Sequence, residues 1–101
     1  MPEFVDLQVL AEGLMFPEGP VVLADGSLIF AEIRAGRLSR LDVDGQVRPV
    51  AITRGGPNGV ARGPDGALYV CNNGGRADRI PPCIQRVDPA TGLARLVELV
   101  P

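Results

Sequence analysis

One phrase in this chain is written twice. Residues 16–30 read FPEGPVVLADGSLIF, and residues 56–70 read GPNGVARGPDGALYV. At an offset of 40, Pro17 meets Pro57, Gly19 meets Gly59, Asp25 meets Asp65, Gly26 meets Gly66 and Leu28 meets Leu68. At an offset of 46, RLSRLDVDG (37–45) lies over CIQRVDPATG (83–92), which brings Arg40 onto Arg86 and Asp42 onto Asp88. The slip marks an insertion in the second copy around GGRADRIPPC. A period of about 40–47 residues belongs to repeat architectures, where each unit buries its faces against its neighbours.

Each copy reads as strands. PVVLADGSLIFAE holds two short apolar runs around Asp25-Gly26, a strong hairpin signal, and ARGPDGALYVCN repeats the device around Asp65-Gly66. RLSRLDVDGQVRPVAI adds two strands around Asp44-Gly45, and IQRVDPATGLARLVEL two more around a longer turn ending in Gly92. Thirteen Gly and ten Pro act against helices. The expected strands are 20–24, 27–32, 37–42 and 46–52, then 58–62, 67–72, 83–88 and 93–99. Four antiparallel strands per repeat describe a blade of a β-propeller, so the expected class is all-β with two four-stranded blades. Residues 13–54 make the first blade and 55–101 the second. Residues 1–12 make an N-terminal closing strand, in which Val5, Leu7 and Val9 alternate with Asp6 and Gln8. Propellers have about 4–8 blades, and two alone would leave apolar sheet faces uncovered. The chain is therefore expected to be the N-terminal portion of a longer protein. The other expectation is a two-blade unit that self-associates into a ring.

Composition narrows the chemistry. Ten Arg against twelve acidic residues give a net charge of −2 with both signs scattered, so no nucleic-acid partner is expected. No apolar run of about 18 residues is present, and the N-terminus has neither a basic region nor a long apolar stretch. The expectation is a cytoplasmic protein without a membrane partner. Two cysteines, Cys71 and Cys83, are too few for a disulfide scaffold and read as free thiols. With no His, chemistry falls to carboxylates, amides, backbone groups and Arg, which suit a hard cation such as Ca²⁺.

Glu18 and Asn58 stand at the same point of the two repeats, each after a Pro and before a Gly. Proline fixes φ ahead of the residue, and glycine lets a neighbouring backbone pass close by. The innermost strand of a blade lines the central channel, so the repeat aims both side chains at a shared axis. A carboxylate beside an amide oxygen suits Ca²⁺; the plainer alternative is a solvated turn acid and a turn asparagine. Asn72 and Asn73 follow the second strand of their blade, where they either line the channel and face substrate or make a turn. Glu32, the repeat partner of Asn72, reads as a simple edge charge, with a rim residue as the alternative. Arg40 and Arg86, each two residues before Asp42 and Asp88, read as structural cations that make repeated ion pairs or bond turn carbonyls, and Asp25 and Asp65 as hairpin residues. The insertion with Pro81, Pro82 and Cys83 reads as a loop over the mouth.

The stretch GLMFPEGPVVLADGSLIFAEIRAGRLSRLDVDG, followed by GGPNGVARGPDGALYVCNNGG and IQRVDPATG, resembles the start of the gluconolactonase/regucalcin family. The likeness runs from about residue 8 to residue 97. It implies a six-bladed ring with one divalent cation in the channel, usually Ca²⁺, with Zn²⁺, Mg²⁺ and Mn²⁺ as alternatives. The family's ligands are a Glu on the first blade's inner strand, matched by Glu18, and Asn and Asp residues of later blades. The strongest Asn positions belong to the third and later blades, so Asn58 is expected to line the channel and face substrate. The implied activity is hydrolysis of sugar lactones, with a proton-transfer carboxylate outside this segment and no catalytic residue within it. The chain alone is expected to be inactive. Other readings are a non-catalytic NHL-like binding propeller and a lyase or synthase on the same fold.

Overall fold

The computed structural model describes residues 7–75, 77 and 79–97. Eight strands form two four-stranded antiparallel sheets. The first sheet holds β1 (Pro17–Val22), β2 (Leu28–Glu32), β3 (Arg37–Leu41) and β4 (Val47–Ile52) in sequence order. The second holds β5 (Pro57–Arg62), β6 (Leu68–Asn72), β7 (Cys83–Val87) and β8 (Ala94–Val97) in the same order. The only helical turn among the described residues is a 3₁₀ turn at Ile33–Ala35. All eight expected strands are present; β1 begins three residues earlier than its apolar run, because Pro17 and Glu18 already pair with Glu32 and Ala31.

Turn chemistry explains the meander. Leu23 N–H donates to the Ser27 carbonyl at 2.8 Å and Gly26 N–H to the Leu23 carbonyl at 3.0 Å, closing a three-residue loop. The same pair of bonds recurs from Asp42 to Gln46 and from Gly63 to Ala67. Each loop ends in a glycine with φ between 81° and 90°, a conformation that costs a side-chain-bearing residue energy. Asp25 accepts from Ser27 N–H and Ser27 Oγ, while Asp65 accepts from Ala67 N–H at 3.1 Å. The Ser27 hydroxyl and amide hold the Asp25 carboxyl below the usual carboxylate range, and the Ala67 amide does the same for Asp65. Arg40 NH2 reaches Asp25 at 2.7 Å and Arg86 NH2 reaches Asp65 at 3.1 Å. The repeated ion pair therefore joins the third strand to the first hairpin. The expected pairing with the following Asp is found for Arg40 and Asp42 at 2.9 Å, but the described residues show no such pair for Arg86 and Asp88.

The core lies between the two sheets. Ala31, Leu38 and Ala51 are cross-strand partners and share one face of the first sheet with Ile29. They pack with Leu68, Val70 and Val87 of the second sheet into one buried cluster. The opposite face of β2, with Leu28 and Phe30, is lined by Val9, Leu10, Ala11 and Leu14 of the N-terminal segment around a cavity of about 320 Å³. Residues 7–12 form no ladder with either sheet, and residues 1–6 of the expected closing strand lie outside the described residues. Both cysteines are free, as expected. Cys71 pairs with Ile84, and Cys83 with Asn72. Since Cys71 and Asn72 are consecutive on β6, the two thiols point to opposite faces of the sheet.

The inner strands β1 and β5 belong to different sheets and meet backbone to backbone. Gly19 has φ 60°, and a Cβ added there would stand 3.0 Å from Val60 N and 3.1 Å from Gly59 Cα. Both contacts are backbone, so neither side can yield cheaply. Gly19→Ala is expected to destabilise the fold by about 1–3 kcal/mol, from strained φ plus the clash. Thermal unfolding checks this, and an unchanged melting temperature would mean that the inner strands lie further apart.

Candidate functional site

Glu18 and Asn58 open the two inner strands, and both side chains are exposed. Asn58 lies in a break of the strand register and Glu18 borders one: the β5–β6 ladder shifts between Pro57 and Gly59, and the β1–β2 ladder between Glu18, still paired with Ala31, and Val21. Bulges of this kind re-aim a side chain and are common beside active sites. The two bulges adjoin, because Gly19 abuts the backbone of Asn58, Gly59 and Val60. The repeat thus brings one carboxylate and one carboxamide to neighbouring irregular turns. No described residue forms a hydrogen bond or ion pair with either side chain.

Glu18 and Asn58 present two side-chain donors that a divalent cation could use. Both are oxygen donors, one of them anionic, which suits a hard cation. They make two of the roughly 6–8 ligands that Ca²⁺ takes. No group of three or more His, Cys, Asp or Glu side chains gathers among the described residues. Glu18 and Asn58 thus offer two oxygen donors, fewer than a complete Ca²⁺ ligand set needs.

Asn72 has a different setting. It is the last residue of β6, is 4% exposed, and its carboxamide is saturated. Its Oδ1 accepts from Gly56 N–H at 3.0 Å and Gly74 N–H at 2.8 Å. Its Nδ2 donates to the Arg54 carbonyl and to Gln85 Oε1, both at 2.9 Å. Gln85 Nε2 in turn donates to the Thr53 carbonyl at 2.9 Å. These bonds bridge the second sheet to the chain that leaves the first. An amide with both lone pairs and both protons engaged has nothing left for a ligand. Gly55 leaves room for the contact: a Cβ there would stand 2.4 Å from Asn72 Oδ1. Asn73, exposed, donates its backbone N–H to the Gly56 carbonyl at 2.8 Å, one step beyond the Pro57–Asn72 pair of the β5–β6 ladder. The insertion occupies residues 73–82, between the end of β6 and the start of β7, where Gly75 and Ile80 form an isolated bridge. Because Pro57 pairs with Asn72, this loop springs from the Asn58 end of the blade.

Glu32 corrects the sequence reading. It is an interior anion with 0% exposure and not an edge charge. Arg37 Nε donates to its Oε2 at 2.7 Å, Ser39 Oγ donates to the same oxygen, and Met15 N–H donates to Oε1 at 2.9 Å. Leu28, Phe30 and Glu32 alternate on one face of β2, so the carboxylate follows two apolar residues inward. That phase was the signal available in the sequence; Asn72 follows Leu68 and Val70 in the same way. The Arg37 bond, before all else, lowers the Glu32 pKa to about 2 against the opposing effect of burial. A second cavity, about 350 Å³ and lined by Leu23, Asp25, Ile29, Arg40, Arg62 and Leu68, opens at the hairpin end, away from Glu18 and Asn58.

Solved structures similar to this chain include two gluconolactonase-type proteins. A gluconolactonase from Xanthomonas campestris superposes with a TM-score of 0.72 at 27% identity, over 88% of this chain and 28% of its own. A structural-genomics target described as a candidate gluconolactonase gives a TM-score of 0.66 at 28% identity, over 88% of this chain and 29% of its own. The chain thus spans less than a third of either relative. No family model and no curated protein sequence matches it. The fold is that of propeller blades, and the structural likeness is to gluconolactonases.

A carboxyl with a depressed native pKa stabilises the fold above its unfolded value and ceases to do so as pH falls through the native one. For Glu32 that window runs from an ordinary value of 4.5 down to about 2, and the linked stability is on the order of 3 kcal/mol. Glu32→Gln is expected to flatten this part of the stability–pH curve, as measured by urea unfolding across the acid range. A variant curve parallel to the parent's would show that Glu32 titrates normally in the native state.

Proposed function

We propose that this chain forms the opening blades of a propeller enzyme that hydrolyses sugar lactones with a divalent cation, and that Glu18 is one of the cation's ligands. The observation that carries this reading is the exposed Glu18 carboxylate, without a partner among the described residues, at a strand bulge whose Gly19 abuts the Asn58 backbone. The fold's likeness to a gluconolactonase supplies the reaction class. Ca²⁺ fits the oxygen donors best. The remaining blades, the other ligands and the group that moves protons belong to parts of the protein beyond this chain.

Lactone hydrolysis adds water to the ring carbonyl, breaks the ring C–O bond and passes a proton to the departing ring oxygen. A bound divalent cation supplies Lewis acidity toward the carbonyl and charge stabilisation for the oxyanion. Glu18 contributes a negative ligand, which favours a cation over water. Asn58 contributes an uncharged amide with one acceptor and one donor group, fit to orient a sugar hydroxyl. Neither residue is assigned proton transfer. Asn72, its amide saturated, serves this site through the backbone and not through substrate.

Glu18→Gln in the intact protein keeps the shape and removes the charge. Outer partners of metal ligands are worth about 10–100-fold in affinity, so losing the ligand's own charge should cost at least as much. The expected result is a fall of about 10-fold or more in Ca²⁺ affinity by calorimetry, with a parallel loss of Ca²⁺-dependent lactone hydrolysis. Unchanged values of both would end the assignment. Ca²⁺ binding without hydrolysis in the parent protein would favour a non-catalytic binding propeller.

A further inference from the structure

We propose that Glu32 and Asn72 are positioning residues, each holding the turn that presents the channel residue of its own blade: Glu32 for Glu18 and Asn72 for Asn58. The inference rests on the reading of Glu18 as a cation ligand and adds to it the device that places the ligand.

The arrangement occurs twice, with different chemistry. Glu32 and Asn72 are 40 residues apart, and each ends the second strand of its sheet. Each side chain crosses to the segment that enters the inner strand. Glu32 accepts from Met15 N–H, three residues before Glu18, and Asn72 accepts from Gly56 N–H, two residues before Asn58. The next residue in each blade adds a main-chain bond: Ile33 N–H donates to the Phe16 carbonyl at 3.1 Å, and Asn73 N–H to the Gly56 carbonyl at 2.8 Å. Phe16 and Gly56 are themselves 40 apart. The third strand then braces the anchor through Ser39 in one blade and Gln85 in the other, which are equivalent at the second offset of 46. A carboxylate and a carboxamide thus perform one task at one site of the repeat.

Backbone strain points the same way. Phe16 has φ 62° and directly precedes Pro17. A left-handed non-glycine residue is uncommon, and a following proline restricts its conformation further. Such a residue costs about 1–3 kcal/mol and persists only where its surroundings over-determine it. Here the Glu32 bond to Met15 and the Ile33 bond to Phe16 hold it from both sides. The Arg34 guanidinium lies 5.5 Å from the Phe16 ring centre. Burying a carboxylate is a poor way to gain stability alone, since an apolar residue of similar volume often does as well. A directional acceptor at this point does what an apolar residue cannot: it fixes where the chain turns before Glu18.

The test uses Glu32→Ala, Glu32→Gln and Ser39→Ala in the full-length protein, with Ca²⁺ as the probe. Glu32→Ala is expected to move the amide resonances of Glu18 and Gly19, leave those of Leu68–Asn72 in place, and weaken Ca²⁺ by about 10–100-fold. Glu32→Gln retains an acceptor for Met15 N–H and is expected to restore most of the affinity despite losing the Arg37 ion pair. A purely structural role predicts the reverse: both variants lose stability while Ca²⁺ affinity and the Glu18 amide stay at parental values, and that result overturns the proposal. If Glu32→Ala does not fold, Ser39→Ala removes one bond to the same carboxylate and should move the same resonances by less. Unmoved resonances in Ser39→Ala would then overturn it. If Glu18→Gln leaves Ca²⁺ binding untouched, the ligand reading fails, and the Glu18 amide shift in Glu32→Ala still decides whether Glu32 positions the turn.

Discussion

Two antiparallel sheets, each with an apolar face, bury those faces only by stacking. Everything else in this chain follows from that contact. Ile29, Ala31, Leu38 and Ala51 on one sheet meet Leu68, Val70 and Val87 on the other. Full burial of a side chain such as Leu or Ile contributes about 1.5–3 kcal/mol, so the cluster outweighs any single polar contact in the molecule. Small residues set how closely the sheets approach. Ala31 and Ala51 are buried between the sheets, and Gly19 lets the inner strands touch backbone to backbone. This close approach, and no direct bond between them, makes Glu18 and Asn58 neighbours.

Polar groups divide into two kinds by burial. The Arg40–Asp25 and Arg86–Asp65 pairs lie in or near solvent, where such pairs contribute about 0–1 kcal/mol. Their recurrence reflects the repeated hairpin more than a need for stability. Glu32, by contrast, has no solvent to fall back on. Removing the half-exposed Arg37 would strand the enclosed Glu32 charge, and that costs more than a surface pair contributes. Asn72 meets the same demand without charge, by engaging all four of its hydrogen-bonding positions. The repeat conserves the task and varies the group, and only the charged version makes the fold sensitive to acid.

Much of the architecture was legible in the residues. The offsets of 40 and 46 located the repeat, the Asp-Gly pairs located the hairpins, and the apolar runs between them became all eight strands. These are local matters: glycine in the left-handed region and alternation along a strand act within a few residues. Glu32 escaped because a carboxylate at a strand end is usually solvated. Its phase with Leu28 and Phe30 was the better guide. The partner of Asp25 escaped for another reason. Asp42 stands two residues from Arg40 in the chain, but the β2–β3 register also carries Arg40 to the Asp25 hairpin.

Sequence alone decided that the chain makes strands, that it makes the same unit twice, and that an acid and an amide hold equivalent places in the two units. Those outcomes depend on φ preferences and side-chain alternation, which each stretch carries with it. Tertiary structure decided which acid is interior and which is open. Glu18 and Glu32 are the same residue type, yet one stands exposed at a bulge, without a partner among the described residues, and the other is enclosed by Arg37, Ser39 and Met15. Burial is a property of the neighbours that folding brings across the sheet, and no residue carries it alone.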